Sequence, residues 1–194
     1  MSSMQESTLH DRIAGRVRAL RDANGLSLAA MATRCDVSRS MLSLIERGES
    51  SPTAVVLERI ATGLGVPLAS LFDAPPSPGE PVSRRADQPV WRDPQSGYLR
   101  RNVSPSSAGS PVQIVEVSFP AGARVAYETS TRAPRIHQQV WVLEGAIDVT
   151  VGGDTHRLQE GDCLAMQLDR PTAFHNGTDR DARYAVVVAS AGRA

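Results

Sequence analysis

The feature that most constrains the fold is a change of apolar period partway along the chain. Between residues 9 and 72 apolar residues recur at helical spacing, whereas between residues 112 and 188 they alternate or run in short stretches broken by Gly, Pro and Asp. A pattern of period 3.6 cannot settle as a strand, nor one of period 2 as a helix, so the chain is helical first and β-rich second. Between the two lies Ala74-Pro-Pro-Ser-Pro-Gly-Glu-Pro-Val-Ser-Arg-Arg-Ala-Asp-Gln-Pro89. Its prolines fix φ and remove backbone donors, which marks a linker. The expected division is a helical domain at 1–73, a Pro-rich linker at 74–89 and a β domain at 90–194, and 194 residues suffice for two such domains.

In the first half Ile13, Val17 and Leu20 give a first helix one apolar face, and Asn24-Gly25 is a stop signal. Ser27 caps a second helix carrying Leu28, Met31 and Ala32, and Ser38 caps a third that turns Leu42 and Ile45 inward. The turn between them, Cys35-Asp36-Val37, has the length a helix-turn-helix requires. A fourth helix starts near Pro52 and buries Val56, Leu57, Ile60 and Leu64, and a fifth segment with Leu68, Leu71 and Phe72 closes the bundle.

In such a unit the third helix enters the major groove and its N-terminal residues meet base edges while neighbouring groups hold phosphates. The candidate DNA-binding residues are therefore Ser27, Ser38, Arg39, Ser40, Ser43, Leu44 and Arg47. With Leu42 and Ile45 inward, Leu44 is expected to stand outward, where a thymine methyl would give it a partner. For Arg39 the sequence leaves two readings open, a forked bond to guanine or a phosphate contact. Net charge is zero, and the first 73 residues carry as many carboxylates as arginines, so DNA contact must rest on local charge.

Gly25-Leu-Ser-Leu, Asp36-Val-Ser-Arg-Ser-Met-Leu-Ser-Leu-Ile-Glu-Arg-Gly48, Ser51-Pro52 and Ile60-Ala-Thr-Gly-Leu-Gly-Val-Pro67 resemble the phage-repressor type helix-turn-helix regulators, the xenobiotic-response-element family. The resemblance implies an ion pair between Arg21 and Glu46. Asp36 stands where that family usually has a turn glycine, a substitution Asp tolerates because it visits left-handed φ. Leu28 replaces a glutamine that often holds phosphate, so that contact is expected to be missing.

In the second half, turns at Glu144-Gly145, Gly152-Gly153-Asp154, Glu160-Gly161-Asp162 and Asn176-Gly177 separate short strands, the pattern of an antiparallel sandwich or barrel. Val140-Trp-Val-Leu143 is apolar on both strand faces, so both faces of its sheet need cover, one of them from a partner subunit. Val142-Leu-Glu-Gly145, Leu158-Gln-Glu-Gly-Asp162 and Pro171-Thr-Ala-Phe-His-Asn176 are similar to the cupin double-stranded β-helix. The expected fold class is α+β: an N-terminal five-helix bundle with a helix-turn-helix, then an antiparallel β-barrel of the cupin type.

Cupin enzymes hold a metal through histidines and a glutamate. Matched by spacing, the resemblance puts Gln138 and Thr172 at two of those positions and the paired histidines among Thr131, Arg132, Ala133 and Pro134. No metal or other cofactor is therefore expected. His137 and His175 each lie one residue off a ligand position, which turns them to the opposite strand face unless a bulge reassembles them into a metal site. Strand parity gives the bowl walls of Gln138, Val140, Val142, Met166, Thr172 and Phe174, with Tyr127 and Arg135 near the mouth. An uncharged Gln and Thr suit a neutral or zwitterionic ligand, and Arg135 a carboxylate, as in an amino acid or related metabolite.

The combined expectation is a cytoplasmic, homodimeric regulator, not an enzyme, acting as a repressor on a palindromic DNA operator under control of a small effector. No apolar stretch is long enough to span a membrane, and two distant cysteines, Cys35 and Cys163, indicate neither disulfide nor zinc site but reduced packing residues. The alternatives are a metal-dependent cupin enzyme fused to a helical domain and an antitoxin-like protein-binding module.

Overall fold

A computed structural model describes residues 2–72, 81–105, 110–128 and 136–190, with side chains from residue 9 to residue 189. Among the described residues the first half contains four α-helices, α1 (Ser2–Ala23), α2 (Leu28–Cys35), α3 (Arg39–Glu46) and α4 (Ala54–Leu64). Their apolar stripes meet in one core, where Ile13, Val17, Met31, Leu42, Ile45, Leu57 and Ile60 are all buried.

Each helix end has a local cause. α1 stops at Gly25, whose φ of +64° lets Leu26 N–H reach the Arg21 carbonyl at 3.1 Å and Gly25 N–H the Asp22 carbonyl at 2.9 Å. Ser27 Oγ accepts from Ala30 N–H at 3.1 Å and Ser38 Oγ from Met41 N–H at 3.2 Å, the two expected caps. Asp36 takes the left-handed turn between α2 and α3 at φ +51°. The fourth helix begins later than Pro52, because Thr53 is its cap and accepts from Val56 N–H at 3.4 Å. The expected fifth helix is only a 3-10 turn, Leu68–Leu71, since Pro67 precedes it and four residues cannot complete an α-helical ladder.

Among the described residues the second half is two antiparallel sheets facing one another, with no closed barrel. One has six strands in the order β1 (Val90–Arg92), β2 (Leu99–Asn102), β3 (Val112–Phe119), β10 (Ala182–Ser190), β5 (Ile136–Glu144) and β8 (Cys163–Gln167). The other has four in the order β4 (Arg124–Tyr127), β9 (Thr172–His175), β6 (Ala146–Val151) and β7 (Asp154–Gln159). Along β5 Ile136, Gln138, Val140 and Val142 point inward, while His137, Gln139 and Trp141 point out. Of the linker, residues 81–89 are described, and Arg85–Asp87 forms a 3-10 turn there.

The two halves share their core. Aromatic rings run in unbroken contact from Phe72 through Trp91, Tyr98, Phe119, Tyr184 and Phe174 to Tyr127, with centroids 5.6–6.3 Å apart. The chain has 3 Phe, 2 Trp and 3 Tyr, so every aromatic except Trp141 belongs to this relay. Asp93, buried ahead of β2, accepts the Ala54 N–H at 2.9 Å and so satisfies the start of α4 from the other half. On the rim, Arg59 of α4 bridges Asp36 and Glu128, each at 3.3 Å.

Candidate functional site

Two surfaces carry chemistry, the exposed side of α3 and a cavity inside the β half. Ser27, Ser38, Arg39, Ser40 and Arg47 are exposed, and Ser43 is half-buried. Ser38 and Ser40 share a hydrogen bond at 3.1 Å, which presents two hydroxyls side by side at the start of α3. Arg39 beside them is free of ion pairs among the described residues. Arg47 is already engaged: it donates to Ser43 Oγ and clasps Glu49 with two bonds of 2.8 Å, holding the Glu49 carboxyl below the usual carboxylate range.

Leu44 departs from expectation. It is half-buried rather than exposed, while its carbonyl accepts from Glu49 N–H at 2.9 Å in the turn that closes α3 at Gly48. Met41 is instead the exposed apolar side chain of α3, at 36%.

At its C-terminal end α3 is tied to α1. Arg21 Nε and Nη2 meet Glu46 Oε1 and Oε2 at 2.6 and 3.0 Å, while Arg21 Nη1 donates to the Leu26 carbonyl at 2.9 Å. The carboxylate accounts for most of the upward shift of the Arg21 pKa.

The cavity, of about 60 Å³, lies where the bowl meets the helical half. Of the residues expected on the walls, Gln138, Thr172 and Phe174 border it, and so does Tyr127, which was expected near the mouth. Val140, Val142 and Met166 are buried too but do not border it, because the cavity opens toward α4 rather than along the full length of β5 and β8. Arg135 and residues 131–134 lie outside the described residues. Sequence reasoning missed four polar members: Tyr98, Tyr184, Arg100 on β2 and Glu58 on α4. Nothing in Leu99-Arg-Arg-Asn102 marked Arg100 as inward, since the strand has no apolar alternation.

Arg100 is 7% exposed, lies over the Phe72 ring at 5.3 Å, and its Nε has no hydrogen-bond partner among the described residues. Glu58 accepts from Thr62 Oγ1 at 3.3 Å, and burial raises its pKa against the opposing pull of Arg100. Burial likewise raises the Tyr98 and Tyr127 phenols, which meet at 3.3 Å, so the cavity keeps neutral hydroxyls at ordinary pH.

His137 and His175 stand exposed on the outer faces of different sheets, as strand parity required. Among the described residues no group of three or more His, Cys, Asp or Glu is arranged to hold a metal ion. No described helix is long and apolar enough to cross a membrane. The outer face of the six-stranded sheet exposes Trp141 at 49%, with Val112 and Ile114 at 39% each.

Residues 12–72 match the helix-turn-helix domain family and residues 116–188 the cupin domain family. The chain is 29% identical to the HTH-type transcriptional regulator SutR of Escherichia coli over 87% of its length and 89% of that protein. It is 23% identical to the HTH-type transcriptional regulator PuuR of the same species, over 83% of this chain and 85% of that one. Its fold is similar to the crystal structure of an HTH_3 family transcriptional regulator from Vibrio cholerae, with TM-score 0.76, 27% identity, and coverage of 96% of this chain and 99% of that one.

Proposed function

The chain belongs with the helix-turn-helix transcriptional regulators that carry a C-terminal cupin domain, and on that premise we propose that it is a homodimeric, cytoplasmic repressor whose cupin bowl senses a small metabolite. Residues 1–73 grip DNA, residues 74–89 link, and residues 90–194 hold the effector. The observation that carries the reading is the exposed N-terminal turn of α3, where Arg39, Ser38 and Ser40 project from a scaffold pinned by the Arg21–Glu46 pair. Ser27 reaches a phosphate from the start of α2, and Ser43 and Arg47 extend the same face, with Met41 taking the apolar contact expected of Leu44.

Dimerisation pairs the outer faces of the six-stranded sheets through Trp141, Val112 and Ile114, which are the large apolar groups left exposed there. Two recognition helices about one DNA turn apart then read a palindrome. Inside the bowl Gln138, Thr172 and Tyr127 supply uncharged hydrogen bonds among apolar walls, the usual design of a metabolite pocket. Inward Gln138 and Thr172, with both histidines outside, support a sensor rather than a metal-dependent catalyst.

The test is footprinting of the DNA upstream of the chain's own gene, repeated across a metabolite panel and over a salt series. A protected palindrome whose occupancy shifts with one compound is expected. Few phosphate contacts per subunit predict a shallow salt slope, on the order of −4 in log K against log salt for the dimer. Tightly bound iron, manganese or zinc surviving dialysis would return the enzyme reading.

A further inference from the structure

The cavity is not made by the bowl alone. Its roof is Glu58 from α4 together with Pro67, Leu68 and Ala69 from the segment that follows α4, all in the DNA-binding half. Arg100 from β2 lines the same cavity. These two groups have opposite charge and border one cavity, yet among the described residues they form no ion pair with each other. A buried guanidinium with an unpaired Nε is costly to leave unmet, since one buried donor without a partner forfeits its hydration. Neighbouring groups do not repair it: Phe72 offers only a ring face, and the Tyr98 and Tyr127 hydroxyls bond each other.

Building on the sensor reading, we infer that the effector is a zwitterionic α-amino acid whose ammonium meets Glu58 and whose carboxylate meets Arg100, so that the DNA-binding half supplies part of the ligand site. A zwitterion brings one ion of each sign to the two groups that line the cavity and leaves its side chain to the apolar walls around Val125, Phe174 and Val186.

The size of the cavity turns this into regulation. At about 60 Å³ it is well below the ~150 Å³ of a pocket that admits benzene, so an amino acid enters only as the α4 roof shifts from the bowl. The roof element also carries Arg59, which ties it to Asp36 in the turn before α3, and therefore to the start of the recognition helix. A ligand bound better by the shifted arrangement changes DNA affinity, and DNA must change ligand affinity by the same factor, typically 5- to 150-fold.

The experiment is calorimetric titration of the full-length protein with the free L- and D-α-amino acids, then with the N-acetyl and α-amide derivatives of each binder. Binding by at least one free amino acid is expected, with each blocking group weakening it tenfold or more. Glu58→Gln should lose tenfold or more toward the free amino acid while binding its N-acetyl derivative within about twofold of the parent protein, and the ligand-induced change in upstream-DNA affinity should shrink with it. No binding by any free amino acid overturns the inference, as does equal binding of parent and blocked compounds, a result that requires no variant to fold. A non-zwitterionic metabolite that shifts the footprint equally in the parent and in Glu58→Gln also overturns it while leaving the sensor reading intact. A footprint indifferent to every compound removes the sensor reading as well.

Discussion

Arg21 at the end of α1 and Glu46 at the end of α3 form a two-pronged ion pair, 2.6 and 3.0 Å long, with side chains only 14% and 8% exposed. Removing one partner strands the other charge where water reaches it poorly. Glu46→Ala should therefore cost about 3 kcal/mol in urea unfolding, whereas replacing both residues by apolar ones of similar size should recover most of that loss. Equal losses in the single and double variants would show that the pair is not what holds α3.

Gly63 packs α4 against α2. A Cβ there would stand 2.3 Å from Cys35 Sγ and 3.1 Å from the Cys35 backbone Cα, so moving the sulfur alone does not relieve it. Gly63→Ala should destabilise by about 1–3 kcal/mol despite the better helix propensity of alanine. Adding Cys35→Ala should restore part of the loss, read from the shift in the thermal midpoint.

Burial raises the Glu58 pKa, with Arg100 pulling the other way. The native state therefore holds this proton at pH values where the unfolded chain, with a carboxyl near about 4.3, has released it. More protons bound in the native state means that this group's contribution falls as pH rises through the window between the two values, and is level outside it. Glu58→Gln removes that window. Its stability relative to the parent should climb as pH rises from about 4 and then plateau, as followed by denaturant midpoints across pH.

The two thiols should differ sharply in reactivity. Cys35 is buried and desolvation pushes its pKa up to about 11, so its thiolate is scarce at neutral pH. Cys163 is exposed, contrary to the packing role expected of it, and pairs across the strands with Trp141 on the outer sheet face. Thiol titration of the native protein should label Cys163 alone, and labelling should slow as protein concentration rises if dimers cover that face. A labelling rate independent of concentration would place the dimer contact elsewhere.

Much of this was legible because it is local. The Ser27 and Ser38 caps, the Gly25 stop, left-handed Asp36 and the inward set on β5 each depend on a few neighbouring residues and one period. What escaped depends on chain segments that meet only after folding. Arg100 and Glu58 lie far apart in sequence, and no periodicity brings β2 beneath α4. Leu44 is half-buried rather than outward because helical parity sorts residues into two faces and does not resolve those at the edge between them. Thr53 outcompeted Pro52 as a helix start because a side-chain acceptor satisfies a donor that proline can only do without. The expected barrel became two sheets because turn spacing specifies strands but not whether their edges close.

The chain's two tryptophans stand at the two places where the proposed sensing and the proposed pairing of subunits would act. Trp91 is 2% exposed within the ring relay that joins bowl to helices, and Trp141 is 49% exposed on the outer sheet face. Movement of the roof would perturb the emission of the first, and burial by a partner that of the second. Removal of either indole leaves a single-colour reporter, so sensing and assembly can be watched separately, in real time and without an attached dye.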